Sequence, residues 1–479
     1  MRASVASVPG ARKLCLALSA FFAASRLLLY LVGVRYHADY AWQHFHDLDL
    51  LTDRLWETLL YTHAFTPFMD LFVGVAHKLA GDHAPVLYQA VYLGLGLAFT
   101  LSVGYLLLAV GFGVRAAFAV AALFACTPAF IYFETFLHYE FPAAALLCVS
   151  VVLLHRALTR DRPLRFWLAF FFTCALIAFI RTTFHLVWLA AMLVVALAFQ
   201  RRAYRAILAA AVLPLALVVG LYAKNQVLFG FFGTSSWFGF NLAIVTTERM
   251  DRAERMQWIQ EGRLHPVTGV PLYSGVRAYK RWVDLERKTG IPVLDRKRRA
   301  NGEPNYNHYG FIEVSKLRMQ DDRYVMRERP RDYARTVLEG YVDYFRPTTR
   351  WHPFDAKRSP HNANRVHLAP WENAYNTAVH TLPFAPAGLY APLLALLFYA
   401  LGLALVRLWR ARLEGCVEEK LVLVMIASAL YVPVLSCLVT IGELERYRFM
   451  VEAFMWICAA WAGKQLFAGL AAGRTVSTA

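Results

Sequence analysis

Apolar positions in this chain come in long unbroken blocks, and the polar residues gather between them. Runs of about twenty apolar residues are long enough to cross a roughly 30 Å hydrocarbon core. Read with their basic flanks, the blocks predict an all-α polytopic membrane protein of about ten spans. They fall near 14–35, 85–111, 115–136, 139–157, 164–180, 183–200, 205–223, 383–408, 419–441 and 448–468. The stretch Thr66 to Ala80 is shorter and carries Asp70, His77 and Lys78. It reads as a re-entrant or interfacial helix, which puts the N-terminus and the basic loops 155–165, 200–205 and 407–420 on one face. By the positive-inside rule that face is the cytoplasm.

This topology divides the chain into three parts. Residues 1–223 form an N-terminal transmembrane module whose first outer loop spans 36–84. Residues 224–382 form an extracytoplasmic segment, mainly helical or mixed, and residues 383–479 form a C-terminal module of three spans. Within the outer segment Tyr333, Val337, Leu338, Tyr341, Val342 and Phe345 recur at helical spacing and stop at Pro347.

Composition sharpens the picture. With 58% hydrophobic residues and a mean hydropathy of +0.41, the chain is too apolar for a soluble protein of this length. The net charge of +17 would suggest nucleic acid in a soluble protein. Here it belongs largely to short loops, where it sets orientation and meets anionic membrane lipids, and no nucleic-acid partner is expected. Arg2, Arg12 and Lys13 precede an apolar run longer than a signal-peptide core, which predicts a retained signal anchor. Of the seven cysteines, all but Cys416 fall inside apolar runs. No structural disulfide and no cysteine metal site are expected.

The chemistry collects on the outer side. The first loop supplies Asp39, Asp47, Asp49 and His63, and the next outer loop supplies Glu134, His138, Tyr139 and Glu140. Arg181 and His185 lie between spans five and six, and Glu443, Glu445, Arg446 and Arg448 between spans nine and ten. The Asp47-Leu48-Asp49 pair suits a general base, an orienting group for an acceptor, or an oxygen site for a divalent cation. Arg181 interrupts an otherwise continuous apolar stretch, which is costly unless it faces a polar cavity or a partner. Its planar fork suits phosphate, and Arg446 and Arg448 sit at a matching level. Arg26, deeper in span one, either pairs with an acid or points into the same cavity.

An acidic first outer loop followed by a His-x-x-x-Pro half-helix, here His63 to Pro67, resembles the GT-C superfamily of integral-membrane glycosyltransferases. The resemblance is strongest to the bacterial group of the lipid A aminoarabinose transferase and the protein O-mannosyltransferases. It covers the first seven spans best. Thr66-Pro67-Phe68 stands where those enzymes have Pro-Pro-Leu, and the 224–382 segment has no counterpart. The resemblance implies a polyprenyl-phosphate-linked sugar donor, an inverting transfer to a lipid, glycan or protein acceptor, and an active site on the outer face of a bacterial inner membrane. It implies a base among Asp39, Asp47 and Asp49, and a donor phosphate held by Glu134, Arg181, Arg446 and Arg448. His63, Tyr139 and His185 are further substrate-binding candidates on the same face. On a helix, residues two apart point in different directions, which ranks Asp47 and Asp39 above Asp49. No cofactor is required and no metal ligand set is assigned, while the aspartate pair leaves a divalent cation open. The rival reading is a transporter or flippase of an amphipathic lipid, which predicts charges spread through the spans and repeat symmetry.

Cysteine labels placed within 240–370 are expected to react from the outer face, and labels in 156–165 or 201–205 from the cytoplasm. Cytoplasmic labelling of the 240–370 segment would overturn this topology.

Overall fold

A computed structural model describes residues 8–38, 45–160, 163–351, 364–381, 388–414 and 416–476. The described residues form helices and irregular loops, with no strand among them. In chain order the first helices are α1 (Ala11–Leu31), α2 (Leu48–Asp53), α3 (Leu55–Tyr61), α4 (Phe68–Ala80), α5 (Ala84–Ala109), α6 (Val114–Ala125) and α7 (Pro128–Glu134). There follow α8 (Glu140–Thr159), α9 (Leu164–Ile180), α10 (Leu186–Phe199) and α11 (Tyr204–Phe229). A second group of helices with its own core, named the outer module because it lies outside the bundle core, contains α12 (Phe238–Val245), α13 (Arg252–Gln260), α14 (Pro292–Asp295), α15 (Gly310–Glu328) and α16 (Pro330–Tyr344). The chain ends with α17 (Asn364–Asn376), α18 (Tyr390–Arg410), α19 (Val417–Val439) and α20 (Leu444–Val476).

Six helices among the described residues are long and apolar enough to cross a membrane, or seven if the bent pair α6–α7 is one span. The chain is thus an integral membrane protein with fewer candidate spans than the ten expected. Local geometry explains the difference. At 1.5 Å per residue α9 and α10 reach only about 26 and 21 Å, short of a roughly 30 Å core, because Arg181 to His185 breaks the run between them. Thr127 and Pro128 break the expected 115–136 span. The Thr127 hydroxyl accepts the Phe130 N–H at 3.4 Å, which starts α7 at a 61° bend to α6. In α20 the apolar run between Glu452 and Lys464 is only 11 residues. The stretch Thr66 to Ala80 becomes α4, which continues through a short turn into α5 as one apolar 42-residue run. Such a run is about twice the hydrocarbon thickness.

The bundle packs α1 on α5 and α6, α8 on α5 and α9, α9 on α11, and α20 on α8, α18 and α19. Its core is aromatic at the centre, where Phe99 stacks on Phe130 at 5.3 Å and Phe133 on Phe449 at 4.4 Å. The outer module has its own core of Trp237, Phe240, Val267, Val276, Tyr279 and Phe311, which also takes in Ala64 from the first loop. Helices α12 and α15 cross closely at Gly239. A Cβ there would sit 2.0 Å from the Ser315 carbonyl oxygen, so a side chain would push the pair apart.

Three contacts fasten this module to the first loop and the bundle. Arg296 donates to both oxygens of Asp49, at 3.1 and 2.6 Å, and Asp47 lies 3.4 Å from Arg296 and 3.4 Å from Arg299. Asn307 Oδ1 accepts the N–H groups of His63 and Ala64 at 2.8 and 3.0 Å. Arg448, fully inside, donates to the carbonyls of Tyr344 and Arg346 at 2.5 and 2.7 Å.

Inside the module Asp322 is buried and accepts from the hydroxyls of Thr246 and Thr247 at 2.6 and 3.0 Å. Burial pushes its carboxyl up from 3.8 to about 7. The folded state then holds a proton that the unfolded chain has lost, so stability is present at acid pH and falls as pH rises through this window. Between about pH 4 and 7 the module is expected to lose up to about 4 kcal/mol, at 1.36 kcal/mol per unit. Asp322→Asn should abolish that loss. Parallel pH profiles of thermal unfolding for the two proteins would refute it.

Candidate functional site

Two arginines from distant parts of the chain meet where the bundle joins the outer module. Arg181 caps the C-terminus of α9 in extended geometry, and Arg446 lies in the first turn of α20. Glu140 opens α8 and lies between them, with its Oε1 3.7 Å from Arg181 Nη2 and 3.7 Å from Arg446 Nε. Its Oε2 is hydrogen-bonded to His138 Nδ1. Arg446 Nη2 also pairs with Glu443 at 3.0 Å. Aromatic faces form the walls. The Arg181 guanidinium lies 4.4 Å from the centres of Tyr139 and Tyr447, and that of Arg446 lies 5.0 Å from Trp351.

Burial gives this arrangement its meaning. Arg181 and Arg446 are each 6% exposed, and Glu140 and His138 are fully buried. Glu443 is half in solvent, so two inward cations face one inward carboxylate. The 3.7 Å separations are too long for hydrogen bonds. Among the described residues, Arg181 Nε and Nη2 and Arg446 Nε have no hydrogen-bond acceptor, although all three are buried. Buried donors left unmade cost roughly 1–3 kcal/mol each. Cation–π contact with Tyr139, Tyr447 and Trp351 offsets part of that, by about 0.5–2 kcal/mol per pair. An anion with several oxygens entering here would meet positive charge, several free N–H groups and a dry aromatic wall. The outer module closes over the same place. Tyr273 of that module, itself half exposed, lies near Glu443 and Arg446.

Of the residues singled out in the sequence, Tyr139, Arg181 and Arg446 come together, joined by His138, Glu140 and Glu443. The other site candidates are placed elsewhere. Glu134 closes α7 and accepts from Arg26 Nε at 2.8 Å, so Arg26 pairs with an acid inside the bundle. Arg448 braces the outer module from within and approaches Glu452 at 3.9 Å. His185 caps α10 by accepting the Val187 N–H at 3.2 Å. His63 is buried in the outer module with Nδ1 2.8 Å from Ser236, and burial pushes its imidazole down to about 3. Asp47 and Asp49 differ in exposure, the first buried and the second about half exposed, yet both are engaged by Arg296. The hydrogen bond from Arg296 holds the Asp49 carboxyl below its ordinary value. Asp39 lies outside the described residues. The chain leading to it is fixed, because the His37 N–H donates to Thr135 O at 2.7 Å and His37 O accepts from Leu137 N at 2.9 Å. That segment runs directly into His138.

Among the described residues no group of three or more His, Cys, Asp or Glu is placed to hold a metal ion. His138 and Glu140 were visible in the sequence as outward-facing but carried no signal beyond it. Nothing in the sequence marked Trp351 or Tyr447, which reach the cluster only by folding. Comparison of the chain with family models, curated proteins and solved structures finds no match.

The unequal sharing of charge makes a stability prediction. Glu140→Gln removes the buried carboxylate that lies between two buried cations, and the expected cost is that of breaking a buried ion pair, about 3–5 kcal/mol. Arg181→Lys keeps the charge but gives up the stacking of the guanidinium on Tyr139 and Tyr447, so it should cost about 1–2 kcal/mol. Thermal unfolding in detergent measures both. A larger loss for Arg181→Lys than for Glu140→Gln would make the arginine a structural brace.

Proposed function

We propose that the chain is a glycosyltransferase of the GT-C type. It would transfer a sugar from a polyprenyl-phosphate donor to an acceptor on the extracytoplasmic face, with inversion at the anomeric carbon. The observation that carries this reading is the pair of buried arginines with unused donors, Arg181 and Arg446, at the junction of bundle and outer module. A lipid-linked phosphate approaching through the bilayer supplies the acceptor oxygens these groups lack. Planar guanidinium forks hold phosphate oxygens in pairs and stay charged throughout.

In the proposed reaction the acceptor oxygen forms a bond to the anomeric carbon as the bond from that carbon to the phosphate oxygen breaks. Negative charge develops on the departing polyprenyl phosphate, and Arg181 and Arg446 stabilise it from a water-poor wall. The acceptor proton passes to a carboxylate. Asp47 and Asp49 are poor bases in this arrangement, because Arg296, Arg299 and the Ala300 N–H already take their oxygens. Asp39 is the remaining aspartate of the three, two residues past the fixed His37. Two arginines neutralise the phosphate in this scheme without calling on a divalent cation.

A transporter or flippase reading would draw on the charged pair inside the bundle, Arg26 and Glu134. Those two charges pair at 2.8 Å and Arg26 also donates to the Ala125 carbonyl at 3.0 Å, which favours a structural role for them. The decisive experiment is transfer from purified radiolabelled polyprenyl-phosphate sugars in proteoliposomes. Asp39→Asn should lose at least about a hundredfold in turnover, the lower end of general-base contributions. Arg181→Lys should bind donor more weakly and turn over slowly, with Asp47→Asn closer to the parent protein. Full activity in both Asp39→Asn and Arg181→Lys, or lipid movement without transfer, would overturn the proposal.

A further inference from the structure

A groove lies beside the junction, where Gly442 of its lining adjoins Glu443, the partner of Arg446. It has a volume of about 580 Å³ and is lined by Ile244, Glu248, Arg249, Glu339, Val342, Asp343, Arg346, Ile441 and Gly442. Its walls are the end of α12, the turn after it, one face of α16 and the connection between α19 and α20. Along α16 Glu339 and Asp343 lie four apart on one polar stripe, and Arg346 follows just past the helix end, paired with Asp343.

The level of this groove is set by α19. That helix is one of the candidate spans, and α16 packs against its C-terminal end. Gly340 lies against Cys437 and Leu444, and the Tyr333 hydroxyl donates to the Leu438 carbonyl at 2.8 Å. Helix α16 therefore rests where the span leaves the hydrocarbon, at head-group depth. Its next face is apolar and open, with Leu338 66% and Val342 56% exposed, and the C-terminal part of α19 that it packs on also exposes Val434 and Leu438. A charged groove thus shares a lip with an apolar surface that continues down a membrane span. A soluble ligand has no use for such a lip.

The charges inside the groove alternate in sign. Arg249 pairs with Glu339, and Arg346 with Asp343 at 2.6 Å. Three of those four side chains are about half exposed, and exposed pairs are worth at most about 1 kcal/mol. They exchange readily for a ligand carrying both signs. We propose that this groove binds the head group of an ammonium-bearing phospholipid. Its phosphate would sit on Arg249 and Arg346, its primary ammonium on Glu339 and Asp343, and its acyl chains along Val342, Leu338 and Val434. The primary ammonium donates three hydrogen bonds to carboxylates, which a quaternary ammonium cannot do and a glycerol head group cannot match in charge.

The test is native mass spectrometry of the delipidated full chain in detergent. It is titrated with phosphatidylethanolamine, phosphatidylcholine and phosphatidylglycerol of matched acyl chains. Phosphatidylethanolamine should bind about fivefold or more tightly than either of the others, the scale of a few exposed charge contacts. The double variant Glu339→Gln, Asp343→Asn should bring all three lipids to parity, and Val342→Trp should fill the groove and weaken all three. Glu339 and Val342 are exposed and Asp343 is partly buried, and the melting temperatures of both variants report whether the fold is kept. Equal binding of the three lipids to the parent protein, a preference for phosphatidylglycerol, or a phosphatidylethanolamine preference that survives the double variant would each overturn the assignment.

Discussion

Two guanidinium groups sharing one carboxylate in a dry place is a costly arrangement, and the junction of bundle and outer module is built around it. Each buried ion costs several kcal/mol in lost hydration, which attraction to a partner repays only when geometry and hydrogen bonds are good. Around Arg181 and Arg446 the geometry is deliberately incomplete, with Glu140 at 3.7 Å from both. Aromatic faces and the His138–Glu140 hydrogen bond hold the groups in place. What is left over is positive charge and unused donors, directed inward.

The outer module keeps that junction closed to water. It is fastened through the arginine grip on Asp47 and Asp49, through the Asn307 bridge to the first loop, and through Arg448 at its return. Two carboxylates of the first loop, Asp47 and Asp49, hold the module down. Arg448, level with Arg446 in the sequence, donates to the carbonyls of Tyr344 and Arg346 and to the Thr348 hydroxyl. Charges two residues apart on a helix face different neighbours, so Arg446 meets Glu140 and Glu443 while Arg448 braces the scaffold.

The same division runs through the surface. Charges at the arginine cluster are buried and short of partners, whereas charges in the groove beside α16 are exposed and loosely paired. The first arrangement costs stability, because buried charges lose hydration. The second costs little, because water screens it.

Block hydrophobicity alone determined that this is a helical membrane protein. Apolar runs of that length have no other stable place, since every backbone group in hydrocarbon must be satisfied within the segment. The interruption of an apolar run by Arg181 likewise pointed to a polar cavity, because an unpartnered charge there is too expensive. Sequence could not count the spans. Breaks at Thr127-Pro128 and at Arg181 to His185 shorten helices that composition alone would carry across. Nor could it choose among Asp47, Asp49, Glu134, Arg448 and His63, whose partners lie up to some hundreds of residues away, as Asp47 and Arg299 do. Which acid meets which arginine depends on the crossing of α8, α9 and α20 and on the seat of the outer module. Those are set by packing across the whole molecule, and no local spacing encodes them.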